Sequence, residues 1–143
     1  MRATDDEPPG ELCKKTGSTS GDPSAPDFVE WVVDASGCDP EALRSIATMQ
    51  RLADCIVREA RVTVVGLPAW HAFPGEGGVT GLYLLSESHL ALHTYPEHGF
   101  FSANLYSCGP PREVAWEALL TKHAGASAIE VRAVRRRLPA SSG

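Results

Sequence analysis

The sequence predicts an α+β domain: a two-layer α/β sandwich in which two helices cover one face of a largely antiparallel sheet, in the order β-α-β-β-β-β-α-β. Three observations lead there. Six short stretches rich in β-branched and aromatic residues recur between Phe28 and Val134. Three of them follow one another with only short turns between, as in hairpin-linked antiparallel strands. Two intervening stretches instead place apolar residues at three- and four-residue steps, the period of a helix that buries one side. With 143 residues, 43% of them hydrophobic and 22% charged, the chain suffices for one domain with a substantial core and is short for two.

Residues 1–26 are rich in Pro, Gly, Ser, Thr and acidic residues and show no apolar period, so a disordered tail is expected there. One domain is expected over 27–138, followed by a flexible C-terminus at 139–143. FVEWVVDA reads as the first strand. Asp39 is a suitable N-cap, with Pro40 in the first helical position and Glu41 near the positive helix end. Behind it Leu43, Ile46, Met49, Leu52, Ala53, Ile56 and Val57 make one apolar stripe, predicting a helix of about five turns. RVTVVG reads as a second strand, ended by Gly66 and Pro68. VTGLYLLS, HLALHTY and FFSANLYS read as three consecutive strands, with Pro96 to Gly99 as the second connection. REVAWEALLTKHA predicts a helix stopped by Gly125, and IEVRAV a last strand.

The formal net charge is −5, and the basic run Arg135–Arg137 lies at the chain end. No basic stripe crosses the folded part, which argues against a nucleic-acid binder. No apolar stretch approaches the roughly 20 residues of a membrane helix, and the N-terminus lacks a secretory h-region, so a cytoplasmic protein is expected. Cys13, Cys38, Cys55 and Cys108 are irregularly spaced, without a CxxC pair, and read as reduced thiols. Cys55 falls in the helical pattern and is assigned to packing; Cys38 and Cys108 stay open at this point. The glycine-dense run Phe73-Pro74-Gly75-Glu76-Gly77-Gly78 lacks the lysine of a phosphate loop and leads into a strand, so it reads as a close-approach loop.

The chemistry concentrates in the run from Ser86 to His98. Alternation sends Leu90 and Leu92 to the core face and His89, Ala91, His93 and Tyr95 to the other. Two histidines and a tyrosine on one non-core face point to a site. A zinc site built from His89, His93, His98 and Cys108 fits poorly, because four residues of strand span roughly 13 Å. A hydrolase triad with Ser88 as nucleophile lacks the GxSxG elbow, since Glu87 and His89 flank the serine.

The run GVTGLYLLSESHLALHTYPEHGFFSANLYSCG resembles the short bacterial form of the S-adenosylmethionine decarboxylase proenzyme family. That family carries a G-V-[ST]-G strand, an E-S-H self-cleavage site, H-T-[WY]-P-E five residues past the serine and C-G twenty past it. All four occur here in register, at Thr80, Glu87-Ser88-His89, His93 to Glu97, and Cys108-Gly109. Weaker similarity runs from about Phe28 to Val134.

The resemblance implies a pyruvoyl-dependent carboxy-lyase that makes its own cofactor. The Ser88 hydroxyl attacks the Glu87 carbonyl, elimination breaks the chain between Glu87 and Ser88, and hydrolysis leaves a pyruvoyl group derived from Ser88. That group forms a Schiff base with the substrate amine and takes up the electrons of the breaking carboxylate bond. His93 matches the base of the elimination, with an imidazole that titrates near neutrality. Cys108 matches the acid that reprotonates the substrate. Thr80 stands where relatives usually have serine. Phe73 and Tyr95 match the aromatic positions that sandwich adenine, and Glu97 the carboxylate that accepts the ribose hydroxyls. Neither a metal nor pyridoxal phosphate is implied. The expected product is decarboxylated S-adenosylmethionine for polyamine synthesis, made by a homodimer of processed protomers sharing sites at their interface.

The sequence departs from that pattern in substrate recognition. Glu30 stands near a family histidine, Asp34 replaces a glutamate, Tyr95 replaces the usual tryptophan, and the loop from Phe73 to Thr80 is one residue longer. Ornithine or arginine as substrate, and an uncut, catalytically silent binding or regulatory paralogue, are therefore the alternatives.

Overall fold

The computed structural model describes residues 27–108, 113–137 and 139. The expected tail at 1–26, Cys13, the Gly109 to Arg112 connection and most of the expected flexible C-terminus lie outside them. Six strands form one sheet in the order β2-β3-β4-β5-β1-β6, every neighbouring pair antiparallel. They are β1 (Asp27–Ser36), β2 (Ala69–Ala72), β3 (Val79–Leu84), β4 (His89–Tyr95), β5 (Phe100–Cys108) and β6 (Ala128–Arg137). The helices are α1 (Pro40–Arg44), α2 (Ile46–Ala60) and α3 (Trp116–Ala124). They pack on one sheet face, as the pattern predicts: Val33, Ala35, Tyr83, Leu90, Leu92, Phe101, Ala103 and Leu105 share one core with Leu43, Met49, Leu52, Ile56, Leu119 and Leu120. Each large side chain fully removed from water there contributes roughly 1.5–3 kcal/mol. The other sheet face has no helix over it among the described residues.

Two expectations need correction. The single helix behind Asp39 is two helices, because Ser45 ends α1 and starts α2; its hydroxyl accepts from the Thr48 N–H at 3.1 Å. A serine that caps locally competes with an uninterrupted helix. The second strand is not at 61–66 but at Ala69–Ala72. Arg61 and Val62 are consumed in ending α2: Arg61 is left-handed at φ 55, and the Val62 N–H bonds back to the Val57 carbonyl at 3.3 Å. Val64 keeps only a lone bridge to Leu85. Trp70 of β2 then lies across Gly81, where a Cβ would come within 2.6 Å of the indole.

The remaining boundaries shift by a few residues. α3 begins at Trp116 rather than near Arg112, and Gly125 closes it in the left-handed region as expected. Cys55 is only partly buried, its sulfur 3.8 Å from His123 Nε2 across the α2–α3 contact. Tyr83 donates to Asp54 Oδ1 at 3.1 Å; burial, and next the Asp54 charge, push its phenol far above the ordinary value. That link ties β3 to α2.

Candidate active site

Strand β4 alternates as the sequence predicts: Leu90, Leu92 and Thr94 point into the core, and His89, Ala91, His93 and Tyr95 face away from the helices. Register turns this row into a lattice on the open face. Thr80 pairs with His93, His93 with Ser102, and Ser102 with Asp34. One strand over, His71 pairs with Thr80. Thr80 Oγ1 lies 3.0 Å from His93 Nδ1. A hydroxyl thus fixes one ring nitrogen and leaves the other to face the open side, an arrangement suited to moving a proton. Among the described residues Arg132 meets Asp34 at 2.7 Å and Glu130 at 3.6 Å at the β6 edge. Glu30 accepts from Asn104 Nδ2 at 3.3 Å.

The Glu87–Ser88 linkage sits at the tip of the β3–β4 hairpin. Leu84 pairs with His89, and the Leu85 N–H donates to the Ser88 carbonyl at 3.0 Å. Glu87 is exposed and Ser88 half-buried. A break here leaves the strands on either side paired from Thr80–His93 to Leu84–His89. New chain ends are therefore held without unfolding the sheet, and the position suits a covalent group made from Ser88. Residue 108 closes β5, two positions beyond Tyr106, which pairs with His89. Continuing that register brings the backbone of Cys108 alongside residue 87. The Cys108 side chain, assigned the proton-donor role, lies outside what the structure describes.

Two ends of β4 thus emerge. Ser88 and the backbone of Cys108 lie at one end of β4, and Thr80 with His93 near the other. Five residues of extended chain separate Ser88 from His93, roughly 16 Å. Within one chain that distance keeps the imidazole from touching the Glu87–Ser88 linkage.

The residues expected to recognise substrate lie beyond His93. Phe73 follows β2, and its N–H donates to the Gly78 carbonyl at 2.7 Å. Tyr95 closes β4, and Glu97 is exposed in the 3-10 turn Pro96–His98. Continued register places Gly78 between Phe73 and Tyr95, whose backbones are then about 10 Å apart, room for one flat ring between two others. Phe73 is 50% exposed and Tyr95 40%, and the Tyr95 ring lies 5.9 Å from that of Phe100. His71 meets the Phe73 ring edge-on at 4.7 Å. That contact was not foreseen from sequence, although the two-residue spacing on one face of an extended segment was a usable signal.

At the Ser88 end, Tyr106 lies 5.8 Å from both Phe28 and His89, with the Arg136 guanidinium 5.2 Å from its ring centre.

The sequence profile of the family described as S-adenosylmethionine decarboxylase matches residues 29–137. The chain belongs to the S-adenosylmethionine decarboxylase family. Among named relatives, the S-adenosylmethionine decarboxylase proenzyme of Parasynechococcus marenigrum is 32% identical over 113 residues, which is 77% of this chain and 85% of that protein. The proenzyme of Pyrobaculum aerophilum is 36% identical over 73 residues, 51% of this chain and 58% of its own length. That of Pyrococcus furiosus is 35% identical over 80 residues, 55% of each chain. This chain thus spans little more than half the length of the two archaeal members of the family. The crystal structure of adenosylmethionine decarboxylase from Aquifex aeolicus superposes with a TM-score of 0.68 at 23% identity, covering 81% of this chain and 95% of that one. At that identity the likeness concerns the fold.

Proposed function

We propose that this chain is a pyruvoyl-dependent S-adenosylmethionine decarboxylase that cuts itself between Glu87 and Ser88. The observation that carries the reading is a hydroxyl–imidazole pair, Thr80 and His93 at 3.0 Å, on the open face of the strand that follows directly from the E-S-H hairpin tip. In the first step the Ser88 oxygen adds to the Glu87 carbonyl carbon and the Glu87–Ser88 C–N bond breaks, giving an ester and a free amine. A base then removes the Ser88 α-proton, and the Glu87 carboxylate leaves as the ester C–O bond breaks. Water converts the resulting enamine to a keto group and ammonia. His93, oriented by Thr80, has the chemistry for that base.

When formed, the terminal keto acyl group supplies the electron sink that decarboxylation of an amino acid requires. The chain's residues do the rest. Phe73 and Tyr95 hold a flat base between them; aromatic stacking contributes about 1–3 kcal/mol per base in nucleic-acid complexes. Glu97 accepts from ribose hydroxyls, and Cys108, a thiol protonated at neutral pH, returns a proton to the substrate carbon.

A second copy is part of this reading. Because Ser88 and His93 of one chain stand roughly 16 Å apart along β4, a base role for His93 calls for the open faces of two copies to meet. The Thr80–His93 pair of one chain then lies over the Ser88 and Cys108 of the other, in an isologous two-fold pair. The enzyme is accordingly a homodimer of processed chains, and a cytoplasmic one, supplying decarboxylated S-adenosylmethionine as the aminopropyl donor for polyamine synthesis. Carbon dioxide release from S-adenosylmethionine, ornithine and arginine, measured side by side, tests the substrate. Release from S-adenosylmethionine alone is expected; preferential release from ornithine or arginine would overturn the substrate assignment.

A further inference from the structure

Arg44 ends α1 on the helical side of the molecule, and the chemistry proposed above gives it no part. Its side chain nevertheless reaches the glycine-rich loop that carries Phe73. Nε donates to the Glu76 carbonyl oxygen at 3.0 Å, and Nη1 binds Glu41 Oε1 at 2.8 Å, which holds the guanidinium from its other side. The aliphatic stem underlies Gly77, where a Cβ would sit 3.3 Å from Arg44 Cγ and Cδ. Gly75 and Gly77 have φ of 81° and 79°, a conformation that glycine adopts at little cost.

Residues 71–76 are all exposed, so this loop gains no position from the core. Beyond the β2–β3 pairing of His71 and Ala72 and the His71–Phe73 ring contact, it is held by the Phe73–Gly78 closure and the Arg44 anchor. α1 also binds the neighbouring strand: the buried Thr94 hydroxyl donates to the Leu43 carbonyl at 2.8 Å and accepts from the Val79 N–H at 2.9 Å. One short helix therefore ties the Phe73 loop to the strand that carries His93 and Tyr95. A loop bearing two left-handed glycines needs such an anchor to keep an exposed aromatic ring in place.

We infer that Arg44 is a positioning residue for recognition of the nucleoside half of the substrate, holding Phe73 in register with Tyr95. The inference rests on the reading of Phe73 and Tyr95 as the pair that binds adenine. Without the anchor the loop samples more conformations, and binding bears the cost of ordering it. That cost falls on substrate affinity and leaves the Ser88 chemistry untouched.

The test compares Arg44→Ala and Arg44→Lys with the parent full-length chain. For Arg44→Ala, KM for S-adenosylmethionine is expected to rise about tenfold, as loss of one charge-assisted hydrogen bond allows. Its kcat should stay within about twofold of the parent value. The fraction of chain cut and the hydrazine-reactive carbonyl content should match the parent. Arg44→Lys, which retains a donor, should fall between. The Kd of methylthioadenosine, a nucleoside without the amino-acid group, should rise in parallel with KM.

Unchanged KM and Kd in an Arg44→Ala protein whose parent decarboxylates S-adenosylmethionine would sink this inference alone. A joint fall in cutting, kcat and thermal midpoint would reduce Arg44 to a scaffold residue and overturn it equally. A parent that is inactive, or that prefers ornithine or arginine, would overturn both the substrate reading and the inference built on it.

Discussion

Co-expression of a Ser88→Ala chain with a His93→Ala chain is expected to restore cutting that each variant lacks or performs slowly alone. Strand β4 runs unbroken from His89 to Tyr95, so the five-residue separation of Ser88 from His93 is a length of roughly 16 Å, several times the reach of an imidazole. In the proposed mechanism each Glu87–Ser88 linkage is then served by the His93 of another copy. A His93→Ala homodimer has no base over either linkage, and its elimination should slow by about 100- to 10,000-fold. A mixed dimer has one complete site, formed by Ser88 of the His93→Ala chain and the intact Thr80–His93 pair of the Ser88→Ala chain. Random pairing of equal amounts makes about half the dimers mixed, so about half of the Ser88-bearing chains should be cut, with total decarboxylation near a quarter of the parent's. Different affinity tags on the two chains allow mass spectrometry to read cutting on each. Two results would refute the reasoning: normal cutting of a His93→Ala chain alone, or an uncut Ser88-bearing chain in isolated mixed dimers.

Other consequences follow from single contacts. Cys108→Ala should still be cut but turn over about 100-fold or more slowly, as expected when a proton donor is lost; full activity in a steady-state assay would remove the thiol from the mechanism. Thr94→Val keeps the shape of a buried residue while orphaning the Val79 N–H and the Leu43 carbonyl. It should cost about 2–4 kcal/mol of stability, and an unaltered denaturant midpoint would contradict the stated role of its hydroxyl. Burial, followed by the Lys122 and Arg51 charges, holds the His123 imidazole below its ordinary pKa. The unfolded chain therefore takes up a proton near pH ~6.5 that the folded protein resists. The contribution is present above that pH and is lost as pH falls through it toward the folded value. Relative to His123→Gln, the thermal midpoint of the parent should fall as pH drops below ~6.5 and stay level above it; parallel profiles would be inconsistent with the depressed imidazole.

The layering of the domain was legible because two periods carry it. Burial along β4 follows the alternation of HLALHTY, and the apolar steps from Leu43 to Ile56 mark the residues that α1 and α2 bury. Local chemistry that competes with a period was harder to read. Ser45 looks like an ordinary helical residue until its hydroxyl is seen capping Thr48, and RVTVVG has strand composition but is spent on ending α2. The sequence motifs identify Ser88 and His93 but carry no distance, and only the strand shows how far apart one chain holds them. Nothing in the sequence singled out Arg44. Its contact with Glu76 spans 32 positions and depends on where the loop folds back, which no local pattern encodes.

The most direct measurement is the intact mass of the freshly folded chain under mild conditions, read together with the reactivity of its fragments toward a hydrazine. The account predicts two polypeptides, one ending at Glu87 and one beginning at the former Ser88 with a blocked, hydrazine-reactive terminus, and a single unreactive chain for Ser88→Ala. A parent protein that persists as one 15.3 kDa polypeptide with no reactive carbonyl would contradict it.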